Sequence, residues 1–148
     1  MIKVYDDFFS EELHQEIHKL MMRSKWSFTG GNDSAPFWHM EDLENEVYFN
    51  SFLFNLIQSK LDRKFKIIRV YANGQTGGQN GTAHPDCQHK QSHRHFTFLY
   101  YPNLRWNYSW GGHLVFLDEA QGSFTDIKNQ YVSHDITPSI KVNHVVTL

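Results

Sequence analysis

Cysteine is almost absent from this chain: Cys87 stands alone among 148 residues. A lone thiol makes neither an intramolecular disulfide nor a cysteine-rich zinc site, which fits a reducing, cytoplasmic compartment. Long apolar runs are lacking too. No window reaches the roughly 18 uncharged apolar residues of a membrane-crossing helix, and the opening Met1-Ile-Lys-Val-Tyr-Asp-Asp has no apolar segment of a secretion signal. Nor is there an excess of one charge. Fourteen Lys+Arg against 16 Asp+Glu leave a net charge of −2, whereas a nucleic-acid-binding surface is normally strongly basic. Neither a membrane nor a nucleic acid is expected as a partner. Internal repeats, heptads and blocks of like charge are also missing.

What is present is a hydrophobic fraction of 40%, enough for an ordered core in one domain over residues 1–148. Aromatics are abundant, with 12 Phe, 7 Tyr and 4 Trp, which excludes a disordered chain, and 10 His supply metal-capable ligands.

The first element follows from Ser10-Glu-Glu-Leu-His-Gln-Glu-Ile-His-Lys-Leu-Met-Met-Arg. A capping Ser, two acidic residues in the first turn, and Leu13, Ile17, Leu20 and Met21 at helical spacing predict a helix over about 11–23. Residues 26–40 hold turn residues and no period, and read as a loop. A second helix is expected over about 42–60, with Leu43, Val47, Phe54, Ile57 and Leu61 on one stripe, widened by Phe49, Phe52, Leu53 and Leu56. So wide a stripe implies packing against a sheet. The helical part thus covers about 1–63.

From about residue 64 the pattern becomes that of strands: 65–72, ending at Asn73-Gly74, then 96–101, 113–117, 127–132 and 142–148. Helices followed by strands make the fold class α+β. Between Ala72 and Phe96 runs a long polar connection rich in Gly, with His84, His89, His93 and His95 in its second half. Connections of this length inside a domain are commonly functional. Its glycines lack the Lys-Ser/Thr of a phosphate loop.

His84-Pro85-Asp86 is the pair on which metal chemistry would rest. In an extended segment residues i and i+2 project to one face, and Pro85 biases His84 toward extended backbone. The same spacing recurs in His14-Gln-Glu16 and His39-Met-Glu41. In a helix, residues two apart point to nearly opposite sides, so 14/16 cannot share an ion. One imidazole and one carboxylate on a strand, with a second His from elsewhere, form the two-His-one-carboxylate arrangement of non-haem Fe(II). The alternative is a surface His beside a solvated Asp.

The surrounding sequence resembles the Fe(II)/2-oxoglutarate dioxygenases of the prolyl 4-hydroxylase type, phage-encoded members included. Tyr71-Ala-Asn-Gly-Gln-Thr-Gly-Gly-Gln-Asn-Gly-Thr-Ala-His84-Pro-Asp86 looks like the family's approach to its first two iron ligands. Phe98-Leu-Tyr-Tyr-Pro-Asn103 with Trp106, then Trp110-Gly-Gly-His-Leu-Val-Phe-Leu-Asp118, looks like the following strand pair, and Val4-Tyr-Asp-Asp-Phe-Phe-Ser-Glu-Glu12 resembles the usual N-terminal segment. The resemblance implies a double-stranded β-helix, or jelly-roll, over about 64–148 with helices on its larger sheet. It implies iron on His84 and Asp86, Tyr71 and Tyr101 around 2-oxoglutarate, O2 as co-reactant, and a peptide or protein as one class of substrate. The family's distal His and its cosubstrate Arg or Lys have no match here. His144 and His134 are the in-chain candidates for the third ligand, His113 occupies an unusual slot, and Lys141 precedes the expected position. The final Val-Val-Thr-Leu run reads like a chain cut before its last strands, which would leave a sheet edge for pairing with a second copy. The competing reading is a non-catalytic, truncated or diverged jelly-roll that binds a metal or ligand.

Three further readings complete the sequence. His89, His93 and His95 are either solvated loop residues or a second divalent site for zinc or nickel. Trp106 and Trp110 either line a substrate groove or pack. In an extended 96–101 segment Thr97, Leu99 and Tyr101 share one face, and Phe96, Phe98 and Tyr100 the other, so the two tyrosines are expected to point opposite ways.

Overall fold

A computed structural model describes residues 3–30, 36–77, 79, 95–110 and 114, and the backbone of 143–147. Within these residues the molecule mixes helix and sheet. Helix α1 spans Glu11–Met21, and Ser10 caps it by accepting from the Leu13 N–H. Its apolar stripe buries Ile17 and Met21, with Leu13 and Leu20 partly covered. At its far end the Trp26 indole donates to the Met21 carbonyl at 2.7 Å, satisfying an acceptor that the ending helix would leave open.

Residues 26–40 are a correction to the sequence reading. They hold a hairpin, with β1 at Ser27–Gly30 and β2 at Phe37–Met40 paired antiparallel. Four-residue strands with an irregular register carry too little alternation to be read as a period, so only the turn residues between them were visible.

The second helical stretch occupies the expected span but is not uniformly α-helical. A 3₁₀ turn at Leu43–Asn45 leads into a π-helical segment, Tyr48–Leu53, and then into α2, Phe54–Leu61. The Phe54 N–H donates to the Phe49 carbonyl five residues back, which widens the turn. The buried stripe becomes Phe49, Leu53 and Ile57 at intervals of four, while Val47 (74% exposed) and Phe52 (51%) turn to solvent. A regular 3.6-residue period would put both on the core stripe. Gln58, a buried polar residue at the end of this stripe, is satisfied: its Oε1 accepts from the Phe65 N–H at 2.7 Å.

Strand β3 is Arg69–Gly74, four residues later than the start read from sequence and extending through Asn73-Gly74. Strand β4 is Thr97–Tyr100, and β5 is Asn143–Thr147. The sheet order is β1-β2-β3-β5-β4, every neighbouring pair antiparallel. Gly74 sits in a tight place: a Cβ there would lie 3.2 Å from Trp38 Cβ and 3.3 Å from the Trp26 ring, so both tryptophans would have to give by a few tenths of an ångström. The strands expected over 113–117 and 127–132 lie outside the described residues.

One face of the sheet carries the core. Along β3 burial alternates, with Val70, Ala72 and Gly74 inward. The register aligns Met40, Ala72, His144 and Tyr100 in one row and Val70, Val146 and Phe98 in the next. Phe8 and Phe9, just ahead of α1, cover this face. Phe8 lies 5.0 Å from Phe98, and Phe9 lies 4.9 Å from Tyr100, between ring centroids. Ile17, Met21, Leu43, Phe49, Leu53 and Ile57 complete the cluster.

Candidate functional site

The opposite face of the same strands carries different chemistry. Strand geometry sends every second residue there, so β3 presents Arg69, Tyr71 and Asn73, β2 presents His39, and β4 presents Thr97 and Leu99. Tyr71 and Leu99 both align with Val145. His39 aligns with Asn73, and Asn73 with Asn143. Carrying the β4 register one residue past Tyr100 brings Tyr101 into that same row. His39, Tyr71, Asn73, Leu99 and Tyr101 are all half-buried, well short of a solvent-washed sheet face.

Polar atoms on this row lack partners. His39 Nε2, Asn73 Oδ1 and the Tyr101 hydroxyl are each buried with no hydrogen-bond partner among the described residues. An unpaired buried polar atom costs on the order of 1–3 kcal/mol, a cost that water or a bound group would relieve here, as it would at Arg23 Nε, Tyr48 Oη, Asn103 Oδ1 and Trp106 Nε1 elsewhere among the described residues. Burial pushes the Tyr101 phenol up to about 12, and it therefore stays a hydrogen-bond donor at neutral pH.

His39 is held from behind. Its Nδ1 lies 3.1 Å from Glu41 Oε1, its ring packs edge-on to Tyr71 at 5.2 Å, and the Arg69 guanidinium sits over the Tyr71 ring at 4.8 Å. Burial lowers the His39 pKa. The Glu41 charge and hydrogen bond oppose that shift and Arg69 adds slightly to it, so the ring is neutral at pH 7. A neutral ring that donates from Nδ1 to a carboxylate keeps its lone pair on Nε2, the buried atom without a partner.

Tyr101 owes its direction to α1. His14 Nε2 donates to the Asn103 carbonyl at 3.1 Å, so its Nδ1 is the acceptor for the Tyr100 hydroxyl, and His18 Nδ1 donates to the Pro102 carbonyl at 3.0 Å. Two histidines one turn apart thus clamp residues 100–103 against the helix. Tyr100 points to the helix, and strand alternation, if it continues past β4, would send Tyr101 the other way. Beyond the clamp, the Trp106 and Trp110 rings meet at right angles, 5.2 Å apart; Trp106 Nε1 is buried without a partner among the described residues, and Trp110 is exposed.

Of the residues named from sequence, His84, Asp86, Cys87, His89, His93, His113, His134 and Lys141 lie outside the described residues. His144 lies in β5, opposite Ala72 and Tyr100. His95 stands half-buried two residues ahead of β4. Among the described residues no group of three or more His, Cys, Asp or Glu is gathered for a metal, and no helix is long and apolar enough to cross a membrane. What sequence reasoning missed is His39. Its signal was the same i, i+2 spacing as 84/86, hidden because the segment read as loop. No family model, curated protein or solved structure matches this chain.

Proposed function

We propose that this chain is an Fe(II)- and 2-oxoglutarate-dependent oxygenase of the prolyl-hydroxylase type, with His84 and Asp86 as iron ligands and Tyr71 and Tyr101 beside the cosubstrate. The observation that carries the reading is the Tyr101 hydroxyl, buried without a partner among the described residues and next in the chain after β4, where continued strand alternation would set it on the face of Tyr71. A carboxylate or keto oxygen is the acceptor such a phenol lacks. The sheet order lends support, since β5 inserts between β3 and β4 antiparallel to both, and a chain that leaves a sheet and returns between two earlier strands is the winding of a jelly-roll. Iron in such a site supplies the oxidising power; the protein's part is to bind and orient the cosubstrate and the second substrate.

The Tyr71 ring, wedged between His39 and Arg69, forms an aromatic wall of the face. Tyr101 supplies the donor, and the α1 clamp keeps it from turning into the core. Binding of Fe(II) or Mn(II), followed by calorimetry under anaerobic conditions, is expected to show about one site that disappears in His84→Ala and in Asp86→Ala. Unchanged binding in both variants overturns the assignment of those ligands, and binding of metal without 2-oxoglutarate favours the non-catalytic metal-binding module instead.

A further inference from the structure

We propose that the C-terminal end of α2 and the chain leading from it toward β3 bind a phosphate group, carried by a small organic phosphomonoester, with the Arg63 guanidinium as its principal contact. The site shares no residue with the iron reading, and either stands without the other.

The sequence concentrates positive charge here. Lys60, Arg63, Lys64, Lys66 and Arg69 place five of the chain's 14 Lys+Arg within ten residues, against the single acid Asp62, although the whole chain carries a net charge of −2. Lys60, Arg63, Lys64 and Lys66 are exposed, and among the described residues no carboxylate pairs with any of them. Arg23 and Lys25, by contrast, share Glu46.

The fold holds one of these cations in place. At the end of α2, Asp62 takes the left-handed conformation with φ 47°, and the Asp62 and Arg63 N–H groups donate back to the Ser59 and Gln58 carbonyls. Gln58 Oε1 anchors the outgoing chain by accepting from the Phe65 N–H at 2.7 Å. The Arg63 guanidinium then lies over the Phe96 ring at 4.4 Å and the Phe65 ring at 5.7 Å, and the two rings are 5.6 Å apart. A guanidinium laid on aromatic faces still directs its N–H groups outward in its own plane, the geometry that takes two oxygens of an oxyanion at once. Packing of this long side chain before a ligand arrives also lowers the entropy cost of binding.

Asn55, Gln58, Ser59, Asp62, Arg63 and Lys64 line an open pocket of about 410 Å³. Asn55 Oδ1 accepts from Gln58 Nε2 at 3.3 Å, which leaves the Asn55 amide N–H groups for a ligand, together with the Ser59 hydroxyl, the Lys64 ammonium and Arg63. Four donor groups against one carboxylate favour an anion with several acceptor oxygens, and a phosphomonoester brings more oxygens and more charge than a carboxylate. Two of the helix-end carbonyls that would repel it are spent on the Asp62 and Arg63 N–H groups. The pocket is larger than a bare phosphate, so space remains for the organic group. Asp62 is the one lining group that opposes the anion, and its removal is therefore a sensitive probe.

Calorimetry at low salt on the whole 148-residue chain, with glycerol phosphate and inorganic phosphate as probes, tests the proposal. One saturable site for glycerol phosphate is expected. Arg63→Ala should weaken it at least about tenfold, and Arg63→Lys, which keeps the charge and loses the planar fork, by roughly three- to tenfold. Asp62→Asn should tighten it by about threefold, the opposite sign to damage of the fold. Lys19→Ala, a charge removed from α1, should leave the affinity unchanged. Circular dichroism checks the fold of each variant, and if Arg63→Ala unfolds, Arg63→Lys decides. Absence of saturable binding in the unaltered chain overturns the proposal, as do equal losses in the Arg63 and Lys19 variants, or a folded Asp62→Asn that binds no tighter than the unaltered chain. Glycerol phosphate binding tighter than inorganic phosphate supports the ester; the reverse order overturns it in favour of free phosphate.

Discussion

The two faces of the sheet come from the same strands, yet they treat polar atoms in opposite ways. On the helix-covered face, Met40, Val70, Ala72 and Phe98 are apolar, and the one hydroxyl among the row residues, that of Tyr100, is bonded to His14. On the other face His39 Nε2, Asn73 Oδ1 and the Tyr101 hydroxyl are buried and unpaired. The first face is built for packing by its strand residues, although the Tyr48 hydroxyl packed against that core is also buried without a partner among the described residues, at a cost to stability. The second tolerates unmatched atoms, which is sensible if a bound group completes them. Sites commonly give up some stability in this way, keeping groups ready for a ligand that the empty fold does not need.

Core truncation is the largest way to sharpen the contrast. Met40→Ala on the helix-covered face is expected to cost about 2–5 kcal/mol, because a fully enclosed side chain leaves a cavity behind. Leu99→Ala on the half-buried outer face should cost clearly less. Urea denaturation, read as midpoint shifts at constant slope, checks both. Equal losses would mean that the outer face is core as well.

The adjacent tyrosines give a finer test. Tyr100→Phe breaks the bond to His14 and should cost about 0.5–1.5 kcal/mol. Tyr101→Phe removes a hydroxyl that is already unpaired, and should leave stability level or slightly higher. For 2-oxoglutarate the order should invert: Tyr101→Phe weakens binding by roughly 0.5–1.5 kcal/mol and Tyr100→Phe leaves it alone. Parallel behaviour of the two variants in both assays would erase the distinction between the faces.

The smallest effect concerns a charge cluster at the rim of the packed face, where Arg23 touches Met40 Sδ at 3.5 Å and bonds both oxygens of Glu46 at 2.7 and 2.9 Å. Burial by itself would raise the Glu46 pKa, but the hydrogen bonds and charges of Arg23 and Lys25 outweigh it and hold the carboxyl below its ordinary range. A carboxyl depressed in the folded state contributes stability above its unfolded pKa and loses it as pH falls through the folded one. Stability should therefore decline below about pH 4.5, and Glu46→Gln should flatten that limb. Because the pair is only partly shielded, the change should stay below about 1 kcal/mol.

Several features were legible in the sequence because they depend on neighbours along the chain. Helix α1 is one, written in Ser10, two glutamates and a 3.6-residue stripe. The direction of Tyr100 toward the helices is another, since alternation on a strand is a property of the backbone. The mixture of helix and sheet belongs here as well, although the β1–β2 hairpin stands between the helices rather than after them. The hairpin of β1 and β2 was not legible, because each strand is too short to show a period and β2 is held on its other side by β3, more than 30 residues further along the chain. The π-helical turns were equally hidden. They re-phase the stripe to Phe49, Leu53 and Ile57, a choice made by what packs against it rather than by local preference.

The candidate site divides along the same line. Sequence alone determined which residue types are available: an i, i+2 His and carboxylate at 84/86 and again at 39/41, and tyrosines at 71 and 101. Only the tertiary structure decided that His39 and Asn73 stand across from each other in register, that polar atoms of both are buried, and that α1 clamps residues 100–103 through His14 and His18. The physical reason is that strand register, burial and hydrogen-bond partnership are properties of pairs of segments, and no single segment encodes its partner.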